Sequence, residues 1–425
     1  ATELLARLHL LPPLQRRVLP VPLQLNHPLW IADREIDPAR HIVAHRVPAP
    51  GTMTELETLI GEIAGSPLAR DVPLWELHVC QGLADGRVAV VAKLHHALAD
   101  GSAANALLGN VTDRPGGPPE RHESVPAVEL EATPSKGRLV VDAVRDAIRQ
   151  LADLPPLLWH TLTALVRLVK YKRHAAVPVP RPIIDTPRAS FNGALTPRRS
   201  FATCTVPLAD IKRVRQEYGV SVNDVVLALV AGALRDWFAA RGERPARPLM
   251  AAVPVATDDP DAAPRLVGNN VSNLFTTLAT DVPDPVERLH TISRVTAEAK
   301  VIQRMLGSSM LTDWVQFTPP GPFSATMRLY SRLHLAAHHP PPINVVVSNV
   351  AGPRSAVTIA GAQLSDLFSV GPILEGIGLN VTAWSYLDRM NFSLLACPDL
   401  LPDLAPIVDG LHRALDELAR HEVHH

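Results

Sequence analysis

The chain predicts a two-lobe α/β protein whose mixed sheets are flanked by helices. Three observations carry that reading. At 425 residues the chain is too long for one ordinary core and suits two packed lobes. Short β-branched runs interleave with three- and four-residue apolar spacing in both halves, as in layered α/β architectures. Between the halves lie Pro-rich crossings and a helical pair with no strand signal.

The elements follow in order. Residues 1–25 read as an apolar, Arg-bearing, helix-like stretch and then Pro-punctuated segments. At 52–65, Met53, Leu56, Leu59, Ile60 and Ile63 recur with helical spacing. Strands are expected at 75–80 and 87–94, with Ala84-Asp85-Gly86 supplying the turn between them. The second strand runs into His95-His96-Ala97-Leu98-Ala99-Asp100-Gly101, and a helix begins over 102–108. Residues 114–134 are Pro/Gly-rich and read as an exposed loop or linker. A helical pair is expected at 139–153 and 157–171, then a Pro-rich crossing at 178–187. In the second half, strands are expected at 201–206, 249–255, 271–278, 343–348, 379–386 and 390–396. Its helices are expected at 208–218, 222–235, 285–305 and 404–421, Gly219 ending the first. This divides the chain into an N-terminal lobe (1–138), a helical connection (139–187) and a C-terminal lobe (188–425).

Composition narrows the function. Lys+Arg 41 against Asp+Glu 42 leaves a net charge of −1, so no domain-scale basic field invites nucleic acid. Cys80, Cys204 and Cys397 are far apart and form no C-x-x-C, which argues against a disulfide framework or thiolate metal site and fits a reducing cytosol. No signal-peptide pattern opens the chain. Ala1 already begins inside a helix-like stretch, so a preceding segment is expected to be missing. The longest near-apolar run, 154–169, is interrupted by His160 and Arg167 and falls short of the ~18–20 residues a spanning helix needs.

The seven residues from His95 to Gly101 carry the chemistry. Neighbours on a strand point to opposite faces, so only one histidine can face a given cavity and the other faces the interior or the far side. Imidazole, with an ordinary pKa near ~6.5, can take a proton from a hydroxyl and return it to a leaving group. A structural histidine pair is the bland alternative. A metal site is the other, disfavoured because diverging neighbours make poor ligands and no H-E-x-x-H is present.

His95-His96-x-x-x-Asp100-Gly101 resembles the signature of the CoA-dependent acyltransferase superfamily, which includes chloramphenicol acetyltransferases and condensation domains. Pro73-Leu74-Trp75-Glu76, Phe191-Asn192-Gly193 before Arg198-Arg199, Val222-Asn223-Asp224-Val225, Gly268-Asn269 and Ser348-Asn349-Val350-Ala351-Gly352-Pro353 resemble, in order, motifs of the bacterial wax ester synthase/diacylglycerol acyltransferase family. Ala351 departs from that family's usual proline.

The resemblance implies a chloramphenicol acetyltransferase-like fold with a tunnel between its lobes, and direct acyl transfer from acyl-CoA to a lipid alcohol. Diacylglycerol is the expected acceptor; long-chain alcohols, a carrier-protein acyl donor and a silent binding module are the alternatives. It assigns His96 as general base, His95 as packing or orienting, and Asp100 as a scaffold carboxylate paired with an unidentified arginine. No cofactor is expected, acyl-CoA being a substrate, and no G-x-S-x-G elbow is present for an acyl-enzyme.

Further candidates come from the residues themselves. Gly101 is expected to permit a close turn. Asn223 and Asp224 either cap a helix or line the site. Ser348, Asn349, Asn380 and Thr382 are polar residues on apolar strands, any of which could donate to an oxyanion. Trp75 is expected to pack behind the histidine strand. Trp159 lies among leucines edged by Arg167, Lys170, Lys172 and Arg173, so that helix either packs across the lobes or lies in a lipid interface. The expected location is the cytoplasm, peripheral on the inner membrane face or on lipid droplets.

Overall fold

The computed structural model describes residues 7–32, 36–113, 132–172, 180–257, 265–307 and 310–420. The chain's first six residues and most of the 114–134 stretch therefore lie outside the described residues.

In the N-terminal lobe, β1 (Arg16–Leu19) and β2 (Leu29–Ala32) form a hairpin. Only short 3₁₀ turns precede it among the described residues, at Leu8–Leu10 and Pro12–Gln15; the start of the expected helix-like stretch lies outside the described residues. β3 (Ile42–Arg46) lies parallel to β4 (Trp75–Gln81), which pairs antiparallel with β5 (Ala89–Leu94). α1 (Met53–Gly65) opens on a capping box between Thr52 and Glu55. α2 (Gly101–Val111) follows the histidines.

α3 (Lys136–Lys172) is one continuous 37-residue helix, not the expected pair. Pro155 and Pro156 fall in the gap between the two expected helices. Both are exposed, so the carbonyls they leave unpaired can turn to water.

The C-terminal lobe is built on one six-stranded mixed sheet. Its members are β6 (Ser200–Pro207), β7 (Met250–Ala256), β8 (Val271–Thr277), β9 (Val345–Ala351), β12 (Leu379–Tyr386) and β13 (Arg389–Ala396), in the order β6-β13-β12-β9-β7-β8. β10 (Thr358–Ile359) and β11 (Ala362–Gln363) form a small separate hairpin. Against one face pack α4 (Leu208–Glu217), α5 (Val222–Ala240), α6 (Pro285–Leu306) and α9 (Ala405–Arg420). α7 (Met310–Gln316) and α8 (Pro320–Arg332) had no counterpart in the sequence reading.

Alternation sorts the two faces of this sheet. Val345, Val347, Val381, Ala383, Phe392 and Leu394 join the large core with α5 and α9. Phe201 and Leu395 point the other way, onto Ile60 and Ala64 of α1 in the N-terminal lobe. Gly61 makes that contact possible, because a Cβ there would lie 2.6 Å from the Arg199 carbonyl oxygen. Glu57 completes it, accepting from the Thr203 N–H (2.7 Å) and hydroxyl (2.5 Å).

Among the described residues no single helix is long and apolar enough to cross a membrane. α4 and α5 pass that test only as a pair bent by 104°, and α5 is mostly buried in the core.

Candidate active site

β5 stops at Leu94, so the two histidines lie on a turn rather than on the strand. Strand alternation therefore does not govern them, and both rings are exposed. The expectation that strand alternation sends one ring to the cavity and the other to the interior or the far side is corrected. Leu98 and Ala99 are the residues that turn inward, joining Leu74, Trp75 and Leu107 in the lobe's core.

The PLW segment sets the turn. Leu74 O accepts from the His95 N–H (2.9 Å), and His95 O accepts from the Leu98 N–H (2.8 Å). Trp75 lies opposite Leu94, donates Nε1–H to Leu14 O (2.8 Å) and stacks on His41. His95 Nδ1 accepts from the Ala97 N–H (3.2 Å), so this ring orients its own turn and its proton belongs on Nε2.

His96 has no hydrogen-bond partner among the described residues. Desolvation by the surrounding protein lowers its pKa from 6.5, opposed by the charge of Asp100. The ring is held mainly as the neutral base. Desolvation lowers His95 as well, helped by Arg70 and His96.

Asp100 is buried and fully engaged. Oδ1 caps α2 by accepting from the Ala103 N–H (2.9 Å). Oδ2 accepts from Arg265 Nη2 (2.5 Å) and from the Asn270 N–H (2.8 Å). Arg265 is thus the arginine the sequence could not name. Its signal was its place three residues before Gly268-Asn269. The Gly268 N–H donates to Leu98 O (2.7 Å), and Ala99 bridges Gly268. The turn is stitched to the other lobe on both sides of the carboxylate.

Gly101 is not needed for a close turn, as its φ is not positive. Its role is steric: a Cβ there would meet Val350 Cγ2 at 3.0 Å, so α2 can start directly against β9.

The remaining candidates separate. Ser221, not Asn223 or Asp224, is the N-cap of α5. Asp224 Oδ2 closes that capping box through the Ser221 N–H (2.9 Å) and hydroxyl (2.7 Å), while its buried Oδ1 has no partner. Asn223 is half-buried in the first turn of the helix. Asn380 Nδ2 donates to Pro372 O (2.9 Å), and Asn380 Oδ1 accepts from the Thr382 hydroxyl (3.0 Å), so these two are committed to structure. Asn349 alternates onto the helix-backed face with Val347.

Ser348 stays available. It lies on the face toward the N-terminal lobe, half-buried, with no hydrogen bond among the described residues. β9 and β7 pair only at Ala251–Val345 and Ala252–Val346, so β9 is free along that edge from Ser348 onward. One same-face position further, Val350 meets Gly101 at the start of the histidine helix. Ser348 also ends a rung of four hydroxyl residues across the sheet, Thr203–Ser393–Thr382–Ser348, that the sequence did not reveal.

Comparison with known proteins decides the family. The profile of the wax ester synthase/diacylglycerol acyltransferase catalytic domain matches residues 1–226, and that of the family's C-terminal domain matches 267–419. The chain belongs to this family. A putative diacylglycerol O-acyltransferase of Mycobacterium tuberculosis is 36% identical over 417 residues, 97% of this chain and 86% of the relative. Another from that organism is 35% identical over 410 residues, 96% and 79% of the two chains. The wax ester synthase/diacylglycerol acyltransferase of Marinobacter aquaeolei superposes with a TM-score of 0.65 at 26% identity, covering 98% of this chain and 89% of that one. A condensation domain of a calcium-dependent antibiotic synthetase shares the fold alone, with a TM-score of 0.55 at 16% identity over 99% and 87% of the chains. As a wax ester synthase/diacylglycerol acyltransferase family member, this protein is an acyltransferase with the two-lobe fold of the solved relative. The family implies acyl-CoA and an acceptor alcohol as its substrates. No cluster of residues suited to a metal ion occurs among the described residues.

Proposed function

We propose that this chain transfers the acyl group of acyl-CoA to the free hydroxyl of diacylglycerol, with His96 as general base. The observation that carries the reading is the His96 ring itself: accessible, without a partner, held toward its neutral form, and fixed at the lobe boundary by Asp100. A free imidazole nitrogen takes the hydroxyl proton as the oxygen attacks the thioester carbonyl. The tetrahedral oxyanion then collapses, the C–S bond breaks, and the imidazolium returns its proton to the CoA sulfur. Ser348 is the oxyanion donor in this scheme, since its hydroxyl is uncommitted and lies beside the strand edge that faces the histidine turn. His95 and Asp100 serve by holding the turn.

Diacylglycerol is preferred because several relatives are named for it. Long-chain alcohols remain the competing acceptor, since the family name carries both. Labelled acyl-CoA offered with each acceptor separates them by kcat/KM. Thiol release without any carrier protein excludes a carrier-bound donor. The reading places the enzyme on the cytoplasmic side, on the inner membrane face or on lipid droplets, where a soluble thioester meets an insoluble alcohol.

A further inference from the structure

α3 carries apolar residues on two faces. The inner face, with Leu139, Ala143 and Ala164, is buried against the protein. The outer face is not covered by any described residue. Val141, Ile148, Leu162 and Val169 recur at multiples of seven, as do Val144, Leu151, Leu158 and Leu165, and all eight are exposed. From Val141 to Val169 this stripe is ~42 Å long.

Two more apolar elements meet it. The 3₁₀ turn Pro22–Gln24 adjoins both α3 and α8. Asn26 donates to Asp146 of α3 (3.0 Å), and a Cβ on Gly321 of α8 would stand 3.3 Å from Gln24. That turn holds Leu23 and Gln24 both at φ +54°, a backbone region unfavourable for side chains larger than glycine. The strained conformation leaves Leu23 89% exposed among the described residues. α8 adds exposed Phe323, Met327 and Leu329.

We infer that this joined face of α3, the Pro22–Gln24 turn and α8 is the surface on which the protein seats itself on an anionic lipid layer. Three features favour lipid over a second copy of the chain. A coiled-coil seam needs charged residues flanking its core, yet positions 147, 152, 154, 159, 161, 166 and 168 beside the stripe are all apolar or small, Arg145 excepted. Pro155 occupies a seam position, where regular knobs-into-holes packing is interrupted. Trp159, 66% exposed, widens the stripe with the side chain suited to a headgroup boundary. Charge points the same way. Arg328 and Arg332 on α8 are exposed, and neither α8 nor the C-terminal half of α3 (157–172) contains Asp or Glu.

The proposal rests on the acyltransferase reading only in supplying a reason to visit lipid, and its test is scored separately. Full-length protein is co-sedimented with vesicles of phosphatidylcholine alone or with about one-third phosphatidylglycerol. Wild type binds the anionic vesicles, and Leu162→Glu/Leu165→Glu lowers the bound fraction at least tenfold with an unchanged melting temperature. Turnover of diacylglycerol presented in vesicles falls with it, while turnover of a water-soluble alcohol does not. Leu23→Asp, at a separate point of the same face, weakens binding too. Equal binding of wild type and variants overturns the proposal. So does a wild-type dimer that the double variant converts to monomer without any change in vesicle binding. Failure of the acyltransferase reading shows differently, as no thiol release with either acceptor while vesicle binding persists.

Discussion

The two sides of the lobe boundary treat their polar groups in opposite ways. On the N-terminal side both Asp100 oxygens are occupied, by Ala103, Arg265 and the Asn270 backbone. On the C-terminal side the sheet keeps hydroxyls in reserve: Ser348 has no hydrogen bond among the described residues, and buried Ser393 Oγ has none either. Fully engaged groups fix geometry; uncommitted ones can meet a substrate. In the proposed mechanism the same boundary would thus combine a fixed mount for His96 with uncommitted hydroxyls facing it.

The sharpest way to break this contrast is His96→Ala. It should lower kcat by about 10³-fold, the scale of a lost general base, with an unchanged melting temperature. Near-normal thiol release would remove His96 from the mechanism. Next is Arg265→Ala, which leaves a buried carboxylate without its counter-charge. It should cost about 3 kcal/mol of stability in denaturant unfolding and lower activity without touching substrate. Ser348→Ala should reduce kcat about 10²-fold with little change in KM, as expected for a donor used mainly in the transition state. If KM alone rises, the hydroxyl serves ground-state binding instead.

Two smaller effects sharpen the picture. Gly101→Ala should cost about 1 kcal/mol through overpacking against Val350, and Val350→Ala should recover part of it. The pH profile tests the base directly. Because the His96 pKa is lowered, the neutral form persists below the ordinary value near ~6.5. The acid limb of kcat/KM should thus have its midpoint below that value, and a midpoint above it would contradict the depressed pKa.

Much of this was readable in the letters, for physical reasons. Val225–Leu234 is an unbroken apolar run because it is buried on every side. Local patterns announce such elements. The pairings that complete the site are not local. Arg265 reaches Asp100 across 165 residues, and the hydroxyl rung exists only through the register of four strands drawn from distant segments. Ser348, Asn349, Asn380 and Thr382 looked equivalent in sequence because polarity on an apolar strand says nothing of face or partner. The continuity of α3 across 154–156 has a related explanation. Pro155-Pro156 predicts a break when helix bonds must be satisfied internally, and an exposed helix can leave carbonyls to solvent.

The long-range tether of Asp100 also bears on how the protein matures. A nascent chain presents both histidines long before residues 265–270 emerge, with the carboxylate still lacking its guanidinium and backbone partners. On the proposed mechanism, the turn carrying both histidines gains its full set of partners only late in synthesis, once residues 265–270 are made and the second lobe can meet the first.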